Sequence, residues 1–199
     1  MDNPLFSSGD DWQNNARVNF SHAPMQFYID GYKRAADLLV QNVLETAIDQ
    51  DVLVYPISFL YRQYIELQLK DVIRESRILL GEGSSFLGSH DIKNLWGVAS
   101  QLMKKIITGV DSTVGGYITK QDLAIINEVI SNFAVIDPDS IAFRYPEDKV
   151  GKNTMQELTH INIRKLAEQI HELAVRLEKF DLVVNVLRER QSDMKGTCC

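Results

Sequence analysis

The chain has 199 residues, of which 45% are hydrophobic and 24% charged, and its net charge is −6. This length suits one domain with a sizeable buried core. Tight binding to duplex DNA needs a strongly cationic surface, so the acidic balance predicts no duplex DNA partner. We find no signal-peptide pattern and no run of about 20 apolar residues, so we expect a cytoplasmic protein without a membrane partner.

The two cysteines, Cys198 and Cys199, are adjacent at the C-terminal end. Because no cysteine lies upstream of them, a disulfide framework is excluded. A terminal Cys-Cys pair is a lipid acceptor in some small GTPases, but no other feature resembles a GTPase. We therefore interpret the pair as part of a frayed tail.

The pattern of apolar residues predicts an all-α protein. Residues 1–22 are polar and aperiodic, which indicates a flexible arm. From Pro24 onward, apolar residues recur at three- and four-residue intervals, the period of one helix face. Long helices with short connections favour a five-helix, roughly antiparallel bundle over 23–188, followed by a disordered tail over 189–199. The predicted helices span residues 24–48, 55–80, 90–108, 120–135 and 154–188.

Individual residues mark the predicted helix starts. Pro56 suits the first turn of the second helix, where a missing N–H costs nothing, and Ser89 is a plausible cap for the third. Two segments match a capping box, Thr119–Asp122 before the fourth helix and Thr154–Glu157 before the fifth. In such a box two side chains bind free N–H groups at the start of the helix.

A first polar group lies on the second predicted helix. Arg62, Glu66 and Lys70 are four residues apart, so they share one face and can pair in series. A solvated ladder of ion pairs is one reading. The flanking residues are unusually apolar, however, and a partly buried Arg–Glu pair often belongs to a functional site.

Two further polar groups lie outside the helix interiors. His90 and Asp91 stand at the start of the third helix, where a His-Asp pair can act as a general base or ligand contact, or merely cap the helix and pack at the bundle end. Arg144 lies between Phe143 and Tyr145 in a Pro-bounded loop. It can stack on a base, clamp a phosphate, or fasten the loop to the bundle.

The last predicted helix carries His160, Arg164 and His171 on the side away from its apolar stripe, which we interpret as an exposed polar face. The chain has no Gly-rich phosphate loop, no His-Glu-x-x-His and no Cys-x-x-Cys motif. We therefore expect no metal site and no cofactor.

Three of these segments together resemble the HEPN superfamily of helical-bundle domains. They are Tyr-Arg-x-x-Ile-Glu-Leu-x-Leu-Lys from Tyr61, His-Asp-Ile-x-x-Leu-Trp from His90, and Phe-Arg-Tyr-Pro from Phe143, and the resemblance covers about residues 55–175. It implies a bacterial, often dimeric protein of toxin–antitoxin, anti-phage or RNA-processing systems. On that basis we expect a homodimer that contacts a partner protein, a nucleotide or an RNA end in a defence or stress context.

Active members of this superfamily share an Arg, four to six residues, His motif that forms a metal-independent ribonuclease site. We take Asn153 and His160 as its counterpart, with Asn in place of Arg. Since Asn cannot supply a positive charge to a phosphodiester transition state, we place a binding or assembly module first. The alternatives are a ribonuclease with His160 or His90 as catalytic residue, and a purely structural scaffold.

The predicted binding site uses six residues on three segments. We expect Arg62 and Glu66 to form an ion pair that shapes a pocket, with His90 and Asp91 at its rim. Arg144 and Tyr145 are predicted to clamp a phosphate or a base. This hypothesis requires the second helix, the start of the third and the loop before the fifth to converge.

Overall fold

The computed structural model describes residues 4–18, 24–85, 88–109 and 116–196. These ranges contain five α-helices, two short 3-10 turns and an isolated β-bridge, with no extended strand. The predicted all-α class is confirmed. The helices are α1 Pro24–Thr46, α2 Gln50–Leu79, α3 Ile92–Gly109, α4 Lys120–Ile136 and α5 Ile163–Gly196, and the 3-10 turns are Pro4–Phe6 and Trp12–Asn14.

Helix α2 is the centre of the fold, as its apolar sequence predicts. It packs against α1, α3 and α5, while α4 closes the bundle against α3 and α5. Ile57, Ile65 and Leu69 of α2 have no solvent exposure. Burying a side chain of this size contributes roughly 1.5–3 kcal/mol. The core along α2 therefore holds in place the neighbouring helices and loops that bring polar residues to this helix.

The connection between α1 and α2 is shorter than predicted. Ala47 and Asp49 both have left-handed backbone angles, with φ of 55° and 62°, and they reverse the chain within three residues. Helix α2 therefore begins at Gln50, and Pro56 lies inside it rather than in its first turn. The prediction placed the start at 55 because proline is most common at a first helical turn.

Helices α3 and α4 begin at side-chain caps. Oδ1 of Asp91 accepts hydrogen bonds from the backbone N–H groups of Lys93 (2.9 Å) and Asn94 (3.1 Å), so Asp91, not Ser89, caps α3. At α4 the predicted capping box is confirmed, since Thr119 and Asp122 exchange the two expected hydrogen bonds.

The predicted start of the fifth helix at residue 154 is wrong. The hydroxyl of Thr154 donates to the carbonyl of Tyr145 (2.9 Å) and so holds the preceding loop, and it caps no helix. Residues 154–157 form turns, and α5 starts after Asn162, whose side chain accepts from the N–H of Lys165 (3.0 Å).

Helix α5 is the longest helix and continues to Gly196, beyond its predicted end at Arg188. Leu173, Leu177 and Phe180 are fully buried on its inner face. In the ranges given above, no helix combines the length and apolarity needed to cross a bilayer. Cys198 and Cys199 lie outside the described residues.

Candidate functional site

A buried ionic cluster occupies one face of α2. Nη1 of Arg62 lies 3.2 Å from Oε2 of Glu66, and Nζ of Lys70 donates to Oε1 of Glu66 at 2.9 Å. The three side chains are 0%, 2% and 5% exposed. The predicted ladder therefore exists, and it is buried rather than solvated.

The charges of this cluster depend on one another. Burial lowers the pKa of Arg62, and the charges of Glu66 and Asp137 oppose that effect. Burial also acts to raise the pKa of Glu66, but hydrogen bonds from Lys70 and His90 and the neighbouring cations outweigh it and leave the pKa lowered. Glu66 is therefore an ionised carboxylate within the protein interior.

The cluster reaches the surface at His90. Nδ1 of His90 lies 2.8 Å from Oε1 of Glu66, while the imidazole is 72% exposed. Nη2 of Arg62 donates to the backbone carbonyl of His90 at 2.6 Å, so both the ring and the main chain of this residue are held. The side chain of Asp91 is directed at the backbone N–H groups that it caps, although its charge acts on Arg62.

The loop that follows α4 also binds the cluster. Nε of Arg62 points to the backbone carbonyl of Asp137 at 3.5 Å. The side chain of Asp137 accepts from the N–H groups of Ile141 (2.7 Å) and Ala142 (3.0 Å), which shapes the loop leading to Arg144. The start of α3 and this loop thus both meet α2 at Arg62.

Arg144 is anchored without a carboxylate. Its Nε donates to the carbonyl of Ser140 at 2.5 Å, and its guanidinium carbon lies 5.9 Å from the ring centre of Phe59 and 5.6 Å from that of Tyr145. In the described part of the chain no acidic side chain pairs with Arg144, and the residue is exposed. Its charge is therefore available to an anion.

A pocket of about 590 Å³ opens beside Arg144, between the N-terminal end of α2 and residues 142–161. We call it the loop pocket. Arg144 and Tyr145 line it together with His160 and Asn153, and Tyr55 and Asp51 close it from α2. Arg144 and Tyr145, predicted together, thus share one pocket with His160, which was predicted by a different argument.

An apolar pocket of about 370 Å³ adjoins the loop pocket. The two share Phe143, Leu158, His160 and Ile161 as lining residues. Ser58 of α2 also lines the apolar pocket, and its fully buried hydroxyl has no hydrogen-bond partner among the described residues. An unsatisfied buried hydroxyl costs roughly 1–3 kcal/mol, which a bound polar atom would recover.

The predicted site residues form two groups rather than one pocket. Arg62, Glu66 and His90 belong to the ionic cluster, and Arg144, Tyr145 and His160 to the loop pocket. The three segments do converge on α2. The start of α3 and the loop after α4 meet it at Arg62, and Arg144 lies over Phe59, about one helical turn earlier.

Sequence reasoning missed a pair on α5. Arg164 and His171 enclose six residues and lie on one face, roughly 10 Å apart along the axis. Both line an open groove of about 1100 Å³ between α1, α4 and α5, which we call the α5 groove. This spacing fits the Arg and His motif that the HEPN resemblance implies, whereas Asn153 and His160 have Asn in place of the Arg. The pair escaped notice because it was assigned to an exposed polar face.

Most charges along the α5 groove are acidic. Lys33 and Arg164 are its cations. Lys33 is already paired with Asp37 at 2.8 Å, which leaves Arg164 as the other cation of the groove. A polyanion approaching a single copy of the chain therefore meets net repulsion in this groove. The acidic residues that line it are Asp37, Glu45, Glu128, Glu168 and Glu172.

A second group of carboxylates, partly buried, lies between α2 and α5. Gln68 donates to Asp181 at 2.5 Å. Burial and the charge of Asp71 raise the pKa of Asp181 to about 7. Burial likewise raises the pKa of Asp71. This group differs from the ionic cluster because no cation lies against Asp181 among the contacts described.

Within the described ranges, no three His, Cys, Asp or Glu side chains are arranged to hold a metal ion. No protein-family model matches the chain, and no curated protein or solved structure shows significant similarity to it.

Proposed function

We propose that the protein is a HEPN-like binding module of a bacterial defence or stress system that holds a nucleotide or an RNA end in the loop pocket. The observation that carries this proposal is the meeting of Arg144, Tyr145 and His160 in one pocket. An unpaired guanidinium suits a phosphate, because its N–H groups match two oxygens at once. The exposed ring of Tyr145 supplies a surface on which a base can stack.

The adjoining apolar pocket favours a nucleotide over a bare phosphate. It offers space for a flat, mostly apolar group directly beside the phosphate-binding residue, with His160 on the shared wall. The buried hydroxyl of Ser58 offers one hydrogen bond to that group. Ligand sites commonly combine an apolar lining with a few placed polar groups in this way.

Titration calorimetry with a nucleoside 5′-monophosphate tests the proposal. We expect Arg144→Gln to weaken binding about tenfold or more, the loss of one charge-assisted contact. Lys149→Gln is the matched control, since it removes the same charge from the same loop but does not line the pocket. No saturable binding by the unmodified chain, or equal losses in both variants, would overturn the proposal.

A metal-independent ribonuclease is the second candidate, and the spacing of Arg164 and His171 favours it. In that role His171 would move a proton and Arg164 would stabilise the charge that develops on the phosphate. We place it second because acidic residues dominate the α5 groove. A homodimer that brings a second copy to the groove would change that balance.

Cleavage of a single-stranded RNA in the presence of a chelator separates the two candidates. If the chain is a ribonuclease of this kind, His171→Ala and Arg164→Ala each lower the rate by about a hundredfold or more, whereas His160→Ala leaves it unchanged. Absence of chelator-resistant cleavage, or equal rates in all variants, would remove this candidate and leave the binding proposal intact.

A further inference from the structure

The imidazole of His90 is exposed, and among the described residues a hydrogen-bond partner is found for its Nδ1 but not for its Nε2. Its Nδ1 contacts Oε1 of Glu66 at 2.8 Å, and Glu66 is almost completely buried. With the Nδ1 edge against the interior and 72% of the side chain exposed, the Nε2 edge faces solvent. None of the three pockets described above is lined by His90.

The partner of Nδ1 determines the tautomer. Lys70 and Arg62 hold Glu66 ionised, so this carboxylate can only accept a hydrogen bond. Nδ1 must therefore carry the proton, and in the neutral ring the lone pair is on Nε2. A nitrogen oriented in this way by a third group has the geometry of an activated nucleophile.

We propose that Nε2 of His90 is a phosphoryl acceptor, modified by an N-phosphorylated donor. The exposed ring is accessible to a donor. The contact of Nδ1 with Glu66 and the hydrogen bond from Arg62 to the backbone carbonyl hold it in one orientation. A phosphoryl group is the fitting electrophile, because an acyl group on an imidazole is rapidly hydrolysed at a site this open to water.

The reaction is a simple displacement. The Nε2 lone pair forms the new N–P bond while the P–N bond of the donor breaks, and the amine of the donor leaves with that electron pair. With phosphoramidate protonated on nitrogen as donor, ammonia is the leaving group and no oxidant or further reactant is needed. The imidazolium that results keeps its Nδ1 proton, and the charge of Glu66 stabilises it.

The other described histidines provide internal controls. His160 and His171 are also exposed, but the nearest polar contact of His160 is the hydroxyl of Thr159, and His171 lies in the open α5 groove. Neither has a buried carboxylate on its ring among the contacts described. Exposure alone therefore predicts equal reactivity of the three, whereas orientation by Glu66 predicts a faster reaction at His90.

The test is to incubate the full chain with phosphoramidate and to map phosphohistidine by mass spectrometry under alkaline conditions. We expect His90 to react at least about tenfold faster than His160 or His171, and Glu66→Gln to abolish this preference. Equal rates at the three histidines would overturn the proposal.

Because Glu66→Gln can unfold the chain, a second measurement uses the unmodified protein. Nitrogen-15 spectra of the imidazole rings report which nitrogen carries the proton. We expect the Nδ1–H form for neutral His90 and the usual mixture for His160. An Nε2–H form at His90 would equally overturn the proposal.

Discussion

The ionic cluster and the loop pocket both centre on an arginine, and they surround it in opposite ways. Arg62 is fully buried and bound to Glu66 and to two backbone carbonyls, whereas Arg144 is exposed and held by one carbonyl and two aromatic rings. A buried charge must be fully paired to be tolerated, and a paired charge has nothing left for a ligand. The comparison indicates that Arg62 supports the fold and His90, while Arg144 is free to bind.

The largest expected effect follows from removing the buried arginine. Arg62→Met leaves Glu66 buried with Lys70 as its remaining close cation, so we expect a loss of about 3–5 kcal/mol in the free energy of unfolding. Urea denaturation followed by circular dichroism measures this loss. A change below about 1 kcal/mol would mean that the cluster is not important for stability.

A triple variant shows whether the loss comes from an uncompensated charge. Replacing Arg62, Glu66 and Lys70 together by Met, Leu and Met removes every charge of the cluster while keeping its volume. We expect stability within about 1 kcal/mol of the original chain or above it. A loss as large as that of Arg62→Met would instead show that the ion pairs themselves stabilise the fold.

The pH dependence of stability contrasts the ionic cluster with Asp181, a half-buried carboxylate without a close cation among the described residues. Its raised pKa means that the folded chain binds a proton more tightly than the unfolded chain does. This contribution is complete below the ordinary pKa of an aspartate and is lost as the pH rises through about 7. Between about pH 6 and about pH 8 we expect stability to fall by roughly 1 kcal/mol.

Neighbouring groups determine the controls for this measurement. The residues that face Asp181 are Gln68, Asp71 and Glu75 of α2 and Glu178 of α5. Asp181→Asn is expected to remove the slope in urea melts across this pH range. Asp148→Asn is the matched control and should leave the slope unchanged, because backbone hydrogen bonds lower the pKa of that exposed carboxyl.

A smaller effect is expected at the loop pocket. Thr154→Val keeps the shape of the side chain but removes the hydroxyl that donates to the carbonyl of Tyr145. We expect a loss of about 1 kcal/mol in unfolding free energy, together with weaker nucleotide binding, since Tyr145 is then less well held. Unchanged binding despite that loss would show that the loop keeps its conformation without this bond.

The smallest expected effect on stability is at Arg144. Because this side chain is exposed and forms no ion pair with a described residue, Arg144→Gln should alter the free energy of unfolding by less than about 0.5 kcal/mol. A thermal melt measures it on the samples used for calorimetry. A loss near that of Arg62→Met would mean that Arg144 supports the fold as Arg62 does.

Local sequence signals predicted the helices and failed where a distant segment competed for the same atom. Thr119–Asp122 and Thr154–Glu157 have the same capping pattern, yet only the first is a cap. The hydroxyl of Thr154 instead bonds to the carbonyl of Tyr145, nine residues earlier in the chain. The spacing of apolar residues within the last helix carries no information about that contact.

The candidate site shows the same limit. The spacing of Arg62, Glu66 and Lys70 predicted an ion-pair ladder, because residues four apart share a helix face. It did not predict the contact of Glu66 with His90, which depends on how α3 packs on α2. Arg144 and His160 meet only because residues 142–161 fold back on α2, whereas the spacing of Arg164 and His171 was visible in the sequence.

The junction between α1 and α2 has a practical consequence. Ala47 follows the last residue of α1 with φ of 55°, a conformation that costs a residue with a Cβ roughly 1–2 kcal/mol and costs glycine almost nothing. Glycine at this position is therefore expected to raise thermal tolerance without touching either arginine. Ala47→Gly would provide a more stable parent chain, in which destabilising variants such as Arg62→Met remain folded under assay conditions.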